Sequence, residues 1–176
     1  MKTQVTTVCD LEKELPPDAP DAPKWLVKAL QVPREEGFIE SQGCDVHYFR
    51  WGNPENPPLI LMHGFLAHAP CMAFIAPFLA ENYHVVAYDL TGMGDSGVRD
   101  AYPDSVRAQE VVDVAQKTGL FEHAQKPIVI AHSYGGHVGL TAMNEHHSLF
   151  GGLIICDLMV LRLERLKAHF AGGRPL

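Results

Sequence analysis

The stretch Ile128-Val129-Ile130-Ala131-His132-Ser133-Tyr134-Gly135-Gly136-His137-Val138 restricts the fold of this chain more than any other. Apolar residues lead in, one serine follows, and two glycines open the next segment. The pattern reads as a buried strand, an abrupt turn at Ser133 and a helix. A strand-to-helix turn this tight holds its central residue in a sparsely populated backbone conformation. Its neighbours must be small so that strand and helix can approach closely, and Ala131, Gly135 and Gly136 are small. The Ser133 hydroxyl is then expected at the tip of a sheet, beside the free N–H groups that open a helix.

Similar strand-then-turn patterns recur along the chain. Phe38–Ser41 and Val46–Trp51 read as a strand pair turned at Gln42-Gly43. Leu59–Met62 is a fully apolar strand that ends in His63-Gly64-Phe65-Leu66. His84–Asp89 is another, and it runs into Leu90-Thr91-Gly92-Met93-Gly94-Asp95-Ser96-Gly97. Gly152–Asp157 is the last. Between them, Met72, Ile75, Ala76 and Leu79 repeat at helical spacing, with Pro77 as a kink or a start. Ala108, Val111, Val112 and Ala115 repeat likewise, with a stop at Gly119. Helix is also expected from Tyr134 to about Ser148. In the tail, Met159, Leu163, Leu166 and Phe170 share one helical face. Residues 1–22, punctuated by Pro16, Pro17 and Pro20, read as a loose extension, and Lys24–Leu30 as a short helix. Apolar strands alternating with amphipathic helices define the fold class: α/β, a mostly parallel sheet with helices on both faces. Ligand chemistry on such a sheet belongs at the carboxyl ends of its strands. His63, Asp89, Ser133 and Asp157 all fall there.

Composition excludes several classes. The 176 residues suffice for one domain with a real core, and 47% apolar with 20% charged residues is ordinary for a globular protein. A net charge of -7 and the lack of a Lys/Arg cluster argue against a nucleic-acid surface. Cys9, Cys44, Cys71 and Cys156 lack metal spacing, and Cys156, inside an apolar run, reads as a buried free thiol. A reducing, cytoplasmic setting without disulfides is expected. No apolar run is long enough for a membrane span, and the first ten residues lack the apolar segment of a secretory signal.

Three motifs stand in order: His63-Gly64-Phe65, then Asp89-Leu90-Thr91-Gly92-Met93-Gly94-Asp95-Ser96, then Ala131-His132-Ser133-Tyr134-Gly135-Gly136. Together they resemble the α/β-hydrolase fold superfamily in its serine-nucleophile, lid-bearing branch, with alanine at 131 where the elbow's first glycine usually stands. The resemblance covers about residues 37–157. It implies an α/β-hydrolase core of the first six strands over 33–157, preceded by an N-terminal extension with a short helix over 1–32 and followed by the start of a lid or cap over 158–176. It further implies a nucleophile at Ser133 and an oxyanion hole formed by the backbone N–H groups of Phe65 and Tyr134. The expected substrate pocket is bordered by His63, Gly64 and Leu66. No cofactor and no metal are implied. Members of the superfamily continue through a lid and two further strands that carry the usual acid and the general-base histidine. This chain stops soon after Asp157, so a C-terminally truncated sequence is expected.

Each candidate has a structural alternative. Ser133 attacks as an alkoxide if a base takes its proton, or it simply caps the following helix. Asp157 is a candidate acid, because an acid at this place orients the histidine in some members; otherwise it accepts loop N–H bonds. Gly92-Met93-Gly94-Asp95-Ser96-Gly97 matches a dinucleotide fingerprint, but that motif needs a helix opening directly from the glycines. Val98–Pro103 delays any helix, so a structural loop is expected, with Asp89 bonding its amides. His137 is expected to point away from the hydroxyl, and Glu145-His146-His147 is not a zinc spacing. His169 sits on a charged tail and makes a poor substitute base.

The expected function is therefore a serine hydrolase of a small apolar ester or related acyl bond, incomplete in this chain. The alternatives are a catalytically silent binding or regulatory fragment, with self-association through exposed strand 153–156, and C–C hydrolase or acyltransferase chemistry on the same fold.

Overall fold

In the computed structural model the described residues are 4–6 and 22–158. The strands are β1 (Gln4–Thr6), β2 (Arg34–Ser41), β3 (Cys44–Trp51), β4 (Pro58–Met62), β5 (His84–Tyr88), β6 (Ile128–His132) and β7 (Gly152–Cys156). The helices are α1 (Lys24–Leu30), α2 (Ala76–Leu79), α3 (Asp104–Lys117) and α4 (Tyr134–His146), with short 3-10 turns at Ala69–Met72 and His147–Leu149. All seven strands form one sheet in the order β1-β2-β3-β5-β4-β6-β7. Strands β5, β4, β6 and β7 run parallel, and β1, β2 and β3 add an antiparallel edge.

Side-chain alternation along β4 explains the two layers. Ile60 and Met62 point to one face, where Val86, Tyr88, Val129 and Ala131 meet Ala108, Val111 and Ala115 of α3 and Val138 and Ala142 of α4. Leu59 and Leu61 point to the other, where Val85 and Ala87 meet Ala69, Ala73 and Ala76. Helices thus cover both faces, and β4 and β5 read as near-continuous apolar runs because both of their faces are buried. Fully burying one such aliphatic side chain is worth about 1.5–3 kcal/mol. No helix among the described residues is long and apolar enough to cross a membrane.

Register fixes the site. Met62 lies opposite Tyr88 on one side and Ala131 on the other, and His132 lies opposite Cys156. The residues that follow each strand, His63, Asp89, Ser133 and Asp157, therefore emerge together at one end of the sheet.

Three expectations change. Gln4–Thr6, read as part of a loose extension, pairs antiparallel with Arg34–Glu36 as the outermost strand; three residues carry too little periodicity to announce a strand. The helix expected through Met72–Leu79 is split into a 3-10 turn and α2, because Pro70 and Pro77 each lack the N–H that a continuing helix needs, and each sits in the first turn of its own piece. Cys156, read as buried, is exposed. An apolar strand is buried only when its neighbours cover it, and among the described residues β7 pairs with β6 alone. The amphipathic tail at 159–170 and His169 lie outside the described residues.

Candidate active site

Ser133 links β6 to α4 with φ 49° and ψ -114°, a left-handed conformation that L-residues rarely hold. Both of its backbone polar groups are engaged. Its N–H donates to the Cys156 carbonyl at 3.1 Å, and its own carbonyl accepts from Gly136 N–H at 2.9 Å. Its side chain makes no capping hydrogen bond to the helix it precedes, which removes the bland account of why a serine stands here. The residue is half-buried. Gly135 is required by close approach: a Cβ there would lie 2.6 Å from the His63 carbonyl oxygen and 3.0 Å from Met62 Cβ. That gap lets the start of α4 press against the end of β4.

The loop after β4 is thereby brought to the serine. A Cβ on Gly64 would lie 3.3 Å from Ser133 Cβ, so the two residues are neighbours. The Phe65 and Tyr134 rings meet edge to face at 5.7 Å between centroids. Tyr134 is the first residue of α4, where helix geometry leaves the N–H without an intrahelical acceptor. Phe65 is 64% exposed, and Leu66 beside it, at φ 55°, is 82% exposed.

His63 is 1% exposed, and both of its ring nitrogens are used. Its Nδ1–H donates to the Gly64 carbonyl at 2.7 Å, and its Nε2 accepts the Leu90 N–H at 3.0 Å. Burial holds its pKa below the usual histidine value. A neutral ring with no free nitrogen ties the loops after β4 and β5 together and cannot take a proton from Ser133. Asp157 follows β7 at φ 60° and is exposed. Its neighbour Cys156 is the residue that anchors the Ser133 amide.

The glycine-rich loop is organised by Asp89. Its Oδ1 accepts the Ala69 N–H at 2.5 Å, and its Oδ2 accepts the Asp95 N–H at 2.9 Å and His47 Nδ1–H at 2.8 Å. A Cβ on Gly94 (φ 54°) would lie 2.3 Å from the Asp89 carboxyl carbon, which explains that glycine without any nucleotide. Burial alone would raise the Asp89 pKa, but His47 and the two amides hold it below the ordinary carboxylate value. Burial likewise opposes charge on His47, yet Asp89 and Glu36, at 2.8 Å from its two ring nitrogens, raise its pKa.

Sequence reasoning missed several partners. Arg107 and Glu110 are buried charges on the apolar stripe of α3, and Thr91 donates its N–H and Oγ1–H to Glu110 at 3.1 and 2.6 Å. The Arg107 guanidinium lies 4.4 Å from the Tyr102 ring centroid and 6.0 Å from that of Tyr134. Charges at i, i+3 inside an otherwise apolar helical face were the available signal. His137 stacks on Tyr134 at 6.1 Å and lies 3.3 Å from Asp104. An apolar groove of about 580 Å³ runs beneath the turn, with His63, Gly64 and His132 at one end; Leu66 does not line it. His47, Asp89 and Asp95 are the one group of potential metal ligands found close together among the described residues, and hydrogen bonds already occupy His47 Nδ1 and Asp89 Oδ2.

Residues 59–176 match the sequence profile of the Alpha/beta hydrolase family, which is more than half of the chain. The chain belongs to the alpha/beta hydrolase family. It is 27% identical over 115 residues to the uncharacterized hydrolase YugF of Bacillus subtilis, covering 64% of this chain and 41% of that protein. It is 25% identical over 128 residues to epoxide hydrolase 3 of Xenopus tropicalis, covering 70% of this chain and 34% of the relative. Among solved structures it resembles the 2-hydroxy-6-oxo-6-phenylhexa-2,4-dienoate hydrolase BphD of Rhodococcus sp. strain RHA1. That match has a TM-score of 0.64 and 29% identity, over 80% of this chain and 54% of the other. This alpha/beta hydrolase thus spans well under half the length of the two sequence relatives.

Proposed function

We propose that this alpha/beta hydrolase chain carries the nucleophile and oxyanion hole of a serine hydrolase that cleaves an ester or related acyl bond. The observation that supports it most is Ser133 itself, held at positive φ with its hydroxyl uncommitted to capping. Ser133 Oγ attacks the acyl carbon, and the backbone N–H groups of Phe65 and Tyr134 receive the developing oxyanion. Donors of this kind are worth about 3–4 kcal/mol each. A water molecule then releases the acyl group. The proton acceptor is a histidine other than His63, whose nitrogens are both engaged, and Asp157 is the candidate acid that orients it. C–C bond hydrolysis and acyl transfer use the same serine and oxyanion donors and differ in the bond presented.

The test is a fluorophosphonate probe with peptide mapping. An adduct at Ser133 that disappears in Ser133→Ala is expected, and labelling that survives that substitution refutes the assignment. A second reading, a binding fragment that self-associates, is favoured by one feature. Among the described residues strand β7 pairs on one side only and leaves Ile154 52% exposed, with no lysine or proline within the strand to guard the edge. Light scattering across a concentration series distinguishes it: oligomers without probe labelling support the second reading, and a labelled monomer supports the first.

A further inference from the structure

A polar cavity of about 470 Å³ lies at the end of the sheet opposite Ser133, and its volume falls within the range of small-molecule sites. Glu55 stands before β4, His84 opens β5, Arg50 is near the end of β3, and Thr118, Glu122 and His123 follow α3. Strands β4 and β6 lie between β5 and β7, so the cavity is set apart from the exposed sheet edge.

His84 is the lining residue that the fold leaves unexplained. It is 3% exposed, and its backbone N–H donates to the Pro57 carbonyl at 3.0 Å. Its Nε2 is buried with no hydrogen-bond partner among the described residues. Buried polar atoms are normally paired, so an orphan at a cavity points to something that meets it there. Burial and then Arg50 lower the His84 pKa to about 4. The ring is therefore neutral at pH 7, with one N–H donor and one acceptor nitrogen. A carboxylate only accepts and an ammonium only donates, so neither serves both nitrogens, whereas hydroxyls serve both. The rest of the lining is mixed in the same way. Arg50 gives Nε and Nη2 to Glu35 and keeps Nη1 outside that pair. His123 Nδ1 accepts the Gln125 N–H at 2.9 Å, so its neutral ring donates through Nε2. Glu55 and Glu122 are exposed acceptors. Their carboxylates oppose an anion, and Arg50 beside His84 opposes a cation.

We propose that this cavity binds a neutral polyhydroxylated ligand of about monosaccharide size, with His84 at its buried end. Ligand hydroxyls donate to Glu55, Glu122 and one His84 nitrogen, and accept from Arg50 Nη1, His123 Nε2 and the other His84 nitrogen. The site uses neither Ser133 nor its amide donors, so it stands independently of the serine chemistry.

The test is titration of the ¹⁵N-labelled chain at pH 7 with myo-inositol and with methyl α-glucopyranoside, read at the His84 ring nitrogens and the Thr118 and Gly119 amides. Inorganic phosphate and putrescine at matched ionic strength are the charged comparisons. At least one polyol is expected to give saturable shifts at these positions, and neither charged probe is. General exclusion of polyols from a protein surface stabilises the fold without a saturable local shift. His84→Phe keeps a ring of similar size and should raise the apparent Kd at least about tenfold, the loss of about two net hydrogen bonds. Glu122→Ala, at an exposed position, should raise it about threefold or more. No saturable shift with either polyol, phosphate or putrescine binding as tightly, or an unchanged Kd in either variant would each overturn the proposal.

Discussion

Asp89→Ala should unfold this chain at a markedly lower temperature, because one carboxylate satisfies three donors from three separate segments. The substitution strips the acceptor from Ala69 N–H, Asp95 N–H and His47 Nδ1–H. A buried donor left without a partner costs about 1–3 kcal/mol, and removing one member of a buried ion pair costs about 3–5 kcal/mol. The Asp95 residue is exposed and can recover a bond to water, and His47 can shed its proton. The expected total therefore stays at about 3–5 kcal/mol rather than the sum of both figures. For a chain of this size, about 1 kcal/mol moves Tm by roughly 2–4 °C, so the drop should be roughly 6–20 °C. Asp89→Asn keeps one acceptor oxygen but presents an NH₂ to one donor, and should cost about 1–3 kcal/mol. Thermal and urea melts followed by circular dichroism and by the fluorescence of buried Trp51 measure both. An Asp89→Ala protein within about 1 kcal/mol of the parent would refute the account of this carboxylate as the tie between β3, β5 and the turn at Ala69.

The same pair gives the stability a pH profile with two limbs. The Asp89 pKa is lowered, so its contribution is present above the unfolded carboxylate value and is lost as pH falls through the folded one. The His47 pKa is raised, so its contribution is full below the ordinary 6.5 and is lost as pH rises through the folded value. His47→Phe should remove the alkaline limb in urea melts run from acid to alkaline pH. His84 behaves oppositely: burial and then Arg50 lower its pKa to about 4, so it destabilises the fold as pH falls from 6.5 towards 4, and His84→Phe should flatten that slope. Gly135→Ala drives a methyl into the His63 carbonyl and should cost about 1–3 kcal/mol in melts, with reduced probe labelling because the Tyr134 amide moves. Ser133→Gly should abolish labelling yet raise stability by up to about 1 kcal/mol, because glycine accepts φ 49° without a Cβ clash.

Much of the site is local and was therefore legible. The turn at Ser133 is written in consecutive residues: apolar strand, serine, two glycines. The ends of β4, β5, β6 and β7 were legible too, because each is an apolar run that stops where polarity returns. The loop reading of Gly92–Gly97 rested on the delayed helix after Gly97, and the Asp89 carboxylate seated against Gly94 supplies its physical cause. What escaped is non-local. His47 and Asp89 are 42 residues apart and meet only because β3 lies antiparallel to β5. Cys156 looked buried because hydropathy reports a residue's own character and not whether a neighbour exists to cover it.

The linear chain by itself determined the alternation of apolar strands with amphipathic helices and the tight bend that isolates one hydroxyl. Both are set by side-chain periodicity and backbone sterics over a few residues. Tertiary structure alone decided that Phe65 stands beside Tyr134, that both nitrogens of His63 are consumed in joining loops, and that Cys71 and Cys156 share one groove. Those facts depend on strand order and register, which are fixed when distant apolar faces bury one another and which no short window of residues encodes.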